Sequence, residues 1–586
     1  MARSDRAPGR TLAEGLKAHK AGDLDTADQR YTAVLRQAPD NVDALHLLGL
    51  LRHQRGGSRQ AVELLRRAAE LRPGSAAVAI DLGTALAAEG QLDAAESAYR
   101  RGVECDPDNP LAHANLGRLL LHRGRPADAV GALQSAVIRA PRRADLLDLL
   151  AQALDAVGRV QDAAHALTDA LRHAPGQAHL WSRLGGLRRL LGDRESALSA
   201  HQEAVRLQPD SPAPRLALGE HHQSGLRLPE AEEAYRAALA RDPTSVRACV
   251  GLAEVRQMQG RFAAALAHAK QALAIEACDP GALLARAEAE RCAGDLDAAL
   301  NTLAAAEDAA PGHPGVARAQ AIARFDDRAP QAAYDALVRL AELTPQARPP
   351  RFQLALLAGW LGWQDIAQRY RRELADLQAP AFILDSVDFA LANRAPGARL
   401  LACPYATLAF ALDAAPRTGL VIDLGVFHAA STNFLAERTD RTVYGFDSFE
   451  GLPEAWGQHA AGAYSVGGRL PDVRANVDLR AGWFEDTLPD FAAERPAEEA
   501  VALVNVDCDI YSSTKTALDA LADRITDGTI LVFDEYFATA SWREDEHRAL
   551  MEAAASYGWT PRYLAFNGFS KQAVVRIAGA RNSDQS

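Results

Sequence analysis

Residues 181–209, WSRLGGLRRLLGDRESALSAHQEAVRLQP, decide the fold of most of this chain. A first apolar helical pattern ends at Gly192, a second carries Ala197, and Pro209 closes it. Each of these marks has counterparts one period away, and the period is 34 residues. Alanine stands at Ala27, Ala61, Ala95, Ala129, Ala163, Ala197, Ala231, Ala265 and Ala299, and the same ruler continues to Ala333 and Ala367. Glycine precedes it by five residues at Gly22, Gly56, Gly90, Gly124, Gly158, Gly192, Gly260, Gly294 and Gly362, failing only at Leu226 and Arg328. Proline follows at Pro39, Pro73, Pro107, Pro141, Pro175, Pro209, Pro243, Pro311 and Pro345. The glycine supplies a positive φ where one helix stops and the chain turns back. The alanine lets two helices approach closely. The proline ends the second helix and can open the next at its first turn. Apolar residues between these marks fall at helical spacing, so each unit reads as a helical hairpin.

Trp181, Leu184, Gly185, Ala197 and Pro209 in one unit resemble the tetratricopeptide repeat family. The resemblance covers residues 6–379, about eleven units, and implies an all-α solenoid whose concave face takes a peptide or protein partner. Units ten and eleven depart from the pattern, with Arg328 at the turn and Trp360 and Trp363 near the end, as expected where a solenoid meets a cap or a different domain. The residues assigned to the groove, Asp43, His46, Asp145, Asp148, His179 and Arg189, are of mixed sign and read as solvated helix faces.

The wider composition agrees with a folded, multidomain protein. In 586 residues, 48% hydrophobic and 24% charged, disorder and collagen are excluded. A net charge of −12 without a basic tract argues against nucleic acid as a partner. Six cysteines without a C-x-x-C pair fit neither a zinc site nor a disulfide framework, and point to a reducing compartment. The longest apolar stretch, Leu354 to Trp363, is far short of the roughly 18 residues of a transmembrane segment, so none is expected and a cytoplasmic location follows.

After Pro380 the ruler stops. A connector over 380–394 leads to a domain over 395–580, in which seven β-rich runs alternate with helical patterns: 420–424, 442–446, 477–479, 502–506, 529–533, 562–566 and 573–577. This texture predicts an α/β doubly wound, Rossmann-like domain with seven strands. Ligands in such a sheet sit beyond the carboxyl ends of the strands. The first run ends in a tight turn at Asp423 and Gly425, and the second in Asp447 and Ser448, an acid about twenty residues on that suits the ribose of a nucleoside cofactor. Ala429 and Ala430 replace the glycines that a dinucleotide pyrophosphate would need, which favours S-adenosylmethionine over NAD.

Asp507 and Asp509 follow the fourth run, and Asp534 and Glu535 the fifth. Four carboxylates at adjacent strand ends would repel one another, and a hard divalent cation such as Mg²⁺ would resolve the repulsion. The competing reading makes Asp509 a helix cap and leaves Glu535 on the surface.

Five ordered blocks resemble the class I S-adenosylmethionine-dependent methyltransferases, and more narrowly the macrocin O-methyltransferase-like group. They are Val426-Phe427, Gly445–Pro453, Gly482–Pro489, Asp507–Thr514 and Phe533–Phe537. The resemblance implies Mg²⁺ held by Asp507, Asp534 and Glu535, with Asp509 as the base. It also implies cofactor contacts from Asp447 at the ribose, from Asp423 and Gly425 at the amino-acid end, and from Gly482, Trp483 and Phe484 around the adenine, with Ser431 and Ser448 as further cofactor-binding residues. The implied activity is a Mg²⁺-dependent O-methyltransferase acting on a sugar or glycan-type hydroxyl, with the repeats recruiting substrate or a partner protein. Ala429, Ala430 and Asn505, which stands where the group often has His, are departures; the alternative is a repeat scaffold with a catalytically silent domain.

Overall fold

The structure, a computed structural model, describes residues 6–457 and 459–579; the expected domain end at residue 580 lies outside the described residues. The chain forms two compact units that meet in sequence at His221 and His222. Among the described residues no helix is long and apolar enough to cross a membrane.

The first unit contains six helical hairpins, from Arg6–Lys20 with Leu24–Gln37 to Ala178–Leu190 with Arg194–Leu207. Its ruler alanines, Ala27 to Ala197, are completely buried, and its ruler glycines, Gly22 to Gly192, all have positive φ. A second row of glycines, which the 34-residue ruler left unused, explains how the paired helices cross. A Cβ at Gly49 would lie 2.7 Å from Leu65, at Gly83 2.7 Å from Tyr99, at Gly117 2.5 Å from Leu133 and at Gly185 2.7 Å from His201. Each large side chain lies on the hairpin's second helix and fills the gap left on the first. Several groove residues are held by neighbouring side chains: His46 by Asp81 at 2.6 Å, Asp43 by Arg72 at 2.7 Å, and Asp148 by Arg183.

In the second unit, helix Leu228–Leu239 precedes four further hairpins, the last formed by Pro349–Leu361 and Gln364–Asp376. The expected connector is helix Ala381–Asn393, with Ser386, Val387, Phe389 and Ala390 buried. The strands follow: β1 (Arg394–Leu401), β2 (Leu420–Leu424), β3 (Val443–Asp447), β4 (Val477–Ala481), β5 (Val501–Val506), β6 (Ile525–Phe533), β7 (Thr560–Asn567) and β8 (Ala573–Ala578). They form one sheet in the order β1-β7-β8-β6-β5-β2-β3-β4.

This corrects the expectation of seven strands: among the described residues the sheet has eight and is mixed. β8 runs antiparallel to both β6 and β7, because the few residues between β7 and β8 are too short for a parallel crossover. The additional strand, β1, contains Pro396 and Gly397 and hides its pattern behind them. Among the described residues it is an edge strand paired only with β7, where a proline is tolerated. β2 and β5 are buried along their whole lengths, as central parallel strands require.

One hydrophobic core runs from the last two hairpins through Trp360, Val387 and Phe389 to Leu424, Val504 and Phe533 of the sheet. Another joins Phe262 and Cys292 of the repeats to Leu408, Val421, Phe434 and Val443. At the edge of the repeats, hairpin turns meet the sheet region in succession. Leu226 bonds His428, Arg261 pairs with Asp472, Arg291 reaches Cys403, and Asp327 binds Arg399 and the Leu400 amide.

Gly117→Val should lower stability by about 1–3 kcal/mol through overpacking against Leu133. Gly131→Ala, on an exposed helix face with nothing within 4 Å, should raise it by about 0.5–1 kcal/mol. Thermal unfolding of the two variants beside the parent chain checks the pair.

Candidate active site

The strand order reverses direction in sequence between β2 and β5, which creates a crevice at their carboxyl ends. A cavity of about 570 Å³ occupies that edge, a size typical of small-molecule sites. Five strand ends contribute to it: Gly425 and Phe427 after β2, Asp447 and Ser448 at and after β3, Gly482, Trp483 and Phe484 after β4, Asp507 and Asp509 after β5, and Asp534 and Glu535 after β6.

Register fixes this convergence. Leu424 pairs with Val506, and Val506 with Phe533, so the next residues along the three strands stand side by side. The Asp507 amide donates to the Leu424 carbonyl at 2.9 Å, and the Asp534 amide to the Val506 carbonyl at 3.1 Å. Gly425 must be glycine, since at φ 89° a Cβ there would sit 1.7 Å from the Asp507 carbonyl oxygen.

Asp447 is locked by two loops, its own and the one after β2. Its two carboxylate oxygens accept from the Phe427 amide at 2.8 Å and the Phe449 amide at 2.6 Å. Burial raises its pKa, and those amides partly offset the rise. Asp447 also lines the cavity, and a carboxylate has about four acceptor sites, more than these amides use.

Asp423 and Ser431 are not brought to the cavity. Asp423 is completely buried and accepts from Ser431 Oγ at 2.8 Å, Thr432 Oγ1 at 2.5 Å and Asn505 Nδ2 at 2.7 Å. It ties β2 to β5 and to the following helix, Ala430–Arg438, beneath the site. Asn505, noted from sequence only as a departure, is therefore part of this strut.

On the acidic wall, burial followed by repulsion from Asp534 drives the pKa of Asp507 upward. Asp509, in left-handed conformation at φ 65°, is raised to about 7 by burial and then by Asp534 and Glu535. Asp534 is raised to about 6, chiefly by burial. Two residues in the turn between β7 and β8 that sequence reasoning missed relieve part of this repulsion. Gln572 Nε2 donates to Asp534 at 2.7 Å, and the Lys571 ammonium lies 3.5 Å from Glu535. A further missed acid, Glu546, is 1% exposed, and neither of its oxygens has a hydrogen-bond partner among the described residues. Burial and the neighbouring acids hold it well above the usual carboxylate range.

The residues suit a nucleoside cofactor: an acid fixed by amides after β3, aromatic rings at Phe427, Trp483 and Phe484, and a cavity of adequate size. They do not, as arranged, suit a metal ion. Among the described residues no three His, Cys, Asp or Glu side chains form a group able to hold one. Asp534 and Glu535 instead turn to Gln572 and Lys571.

Gly451, Leu452, Pro453, Glu454, Trp456 and Tyr464 also line the cavity. Trp456 stacks on His459 with ring centroids 5.8 Å apart and donates its Nε1 hydrogen to Asp545 at 3.2 Å; Glu454 accepts from Ser512 at 2.6 Å.

The strut assignment predicts that Asp423→Ala lowers the urea midpoint by an amount equivalent to about 2–3 kcal/mol, because Asn505, Ser431 and Thr432 lose their common acceptor. A direct ligand contact would instead weaken binding while leaving the midpoint unchanged.

Residues 469–552 match the macrocin-O-methyltransferase (TylF) family, and residues 12–76, 48–110, 80–144, 149–212 and 216–282 match a tetratricopeptide repeat family. The 8-demethyl-8-(2,3-dimethoxy-alpha-L-rhamnosyl)-tetracenomycin-C 4'-O-methyltransferase of Streptomyces olivaceus is 32% identical, over 20% of this chain and 53% of its own. The demethyldecarbamoylnovobiocin O-methyltransferase of Streptomyces niveus is 28% identical, over 20% of this chain and 50% of its own. The chain thus spans about half the length of these curated relatives. A solved tetratricopeptide repeat protein from Parabacteroides merdae superposes with a TM-score of 0.38 at 18% identity, covering 41% of this chain and 95% of that one. The chain therefore carries tetratricopeptide repeats and a C-terminal macrocin O-methyltransferase-like domain.

Proposed function

We propose that this protein is an S-adenosylmethionine-dependent O-methyltransferase acting on a hydroxyl of a sugar or glycan-type acceptor. The observation that carries the proposal is the meeting of Asp447 and Asp509 in one cavity at the strand-order reversal. S-adenosylmethionine, when bound, supplies an electrophilic methyl group on a sulfonium. Asp447 holds the ribose hydroxyls through the lone pairs left free by the Phe427 and Phe449 amides. Phe427, Trp483 and Phe484 give the adenine an apolar border and keep water from the reacting centre. The acceptor hydroxyl lies toward the acidic wall, where Asp509 takes its proton as attack begins. Trp456 and Tyr464, which line the same cavity, supply aromatic surface for the apolar side of a sugar. The sugar class draws its support from this aromatic surface and from the names of the two relatives.

No step here runs through Mg²⁺, because the side chains expected to hold it are not arranged as a ligand set. A rise in melting temperature on adding Mg²⁺, abolished by Asp507→Asn, would return the ion to the site.

The repeats are proposed to recruit a peptide or protein partner. The alternative, a scaffold with a silent domain, is separated from the enzyme reading by calorimetric titration of the full chain with S-adenosylmethionine. Binding is expected, and Asp447→Ala should weaken it; no binding would overturn the enzyme reading. Asp509→Asn should retain the cofactor but lose about 100-fold or more of the methyl-transfer rate, measured with radiolabelled cofactor and a panel of O-glycosides. Unchanged turnover would remove its role as base.

A further inference from the structure

The repeat ruler loses its turn glycine at Leu226, and the residue there does more than close a hairpin. Leu226 takes the left-handed conformation at φ 57°, which L-residues rarely adopt outside a constraining environment. Its carbonyl accepts the Nε2 hydrogen of His428 at 2.7 Å, and the residue lines the same cavity as Asp447 and Asp509. His428 belongs to the loop after β2, in which Phe427 and Ala429 are also left-handed, at φ 48° and 64°. One repeat further on, Gly260 also lies against this loop: a Cβ on it would come within 2.7 Å of the Ala430 carbonyl oxygen and 3.0 Å of its Cα. Phe262 packs edge-on against Phe434 of the helix that the loop opens, with ring centroids 6.4 Å apart.

The Phe427 amide from this loop also fixes the Asp447 carboxylate. The loop therefore links a repeat turn on one side to the ribose-binding acid on the other. Its backbone is unfavourable for non-glycine residues and persists only where its surroundings hold it.

We infer that the turns at Leu226 and Gly260 are part of the cofactor site, holding the loop Phe427–Ala430 in its binding conformation, with Leu226 as a wall of the cavity. The inference rests on the cofactor reading above. It makes His428 a positioning residue, acting through the loop. It also means that the sheet region without these repeats would bind the cofactor weakly, because the competent loop conformation would be a minor one.

Two glycines provide a matched test. Gly260 and Gly294 both have positive φ, at 67° and 91°, but nothing lies within 4 Å of a Cβ at Gly294. Gly260→Ala and Gly294→Ala therefore add a comparable backbone penalty, while only the first disturbs Ala430. In the full chain, titrated with S-adenosylhomocysteine, Gly260→Ala should weaken binding about tenfold, as when the competent loop population falls to a tenth, and Gly294→Ala should leave it unchanged. Hydrogen exchange of the amides between 426 and 433 should rise in the first variant alone. His428→Phe, which keeps ring size and removes the donor, should repeat both effects and serves if Gly260→Ala does not fold. Parent-like binding and exchange in folded Gly260→Ala or His428→Phe would overturn the inference while leaving the cofactor reading in place. Failure of the parent chain to bind would overturn the cofactor reading and this role of the turns with it.

Discussion

The second unit is organised by helix turns pressed against one sheet. From Leu226 to Asp327, successive hairpin turns end on the sheet region, and the last hairpins share its core through Trp360, Val387 and Phe389. Three of these contacts bring backbone into direct contact: a carbonyl on an imidazole at Leu226, a bare Cα on a peptide at Gly260, and a carboxylate on an amide at Asp327. The repeat spacing determines where along the sheet each contact can fall. A repeat array is usually treated as a binding surface attached to an enzyme; here its later repeats are continuous with the domain that carries the cavity.

The cavity depends on that framework through electrostatics as well as shape. Acids at neighbouring strand ends lose hydration and repel one another, so their pKa values rise together. The protein answers with Gln572 and Lys571, from a turn that the antiparallel β8 brings back over the β6 end. A fully parallel sheet would place that turn at the opposite edge. The mixed sheet is therefore part of the chemistry, since it decides which groups share the acidic wall. Asp423 illustrates a related point: as a strand-end acid it had the pattern of a ligand-binding group, yet its capacity is spent on Asn505, Ser431 and Thr432.

The sequence by itself determined the helical hairpins, their 34-residue period, the positions of seven strands and the acidic character of the strand ends. These are local properties: period, turn chemistry and runs of β-branched residues are all written over short distances. It also marked where repeats leave their own pattern, because the two missing turn glycines, at Leu226 and Arg328, fall beside or within turns that meet the sheet region. Only the tertiary structure decided strand direction, the addition of β1, the roles of Asn505, Lys571, Gln572 and Glu546, and the separation of Asp423 from the cavity. Those outcomes depend on pairing between residues tens to hundreds of positions apart, such as Leu226 with His428, and no local pattern encodes which distant carbonyl will face an imidazole.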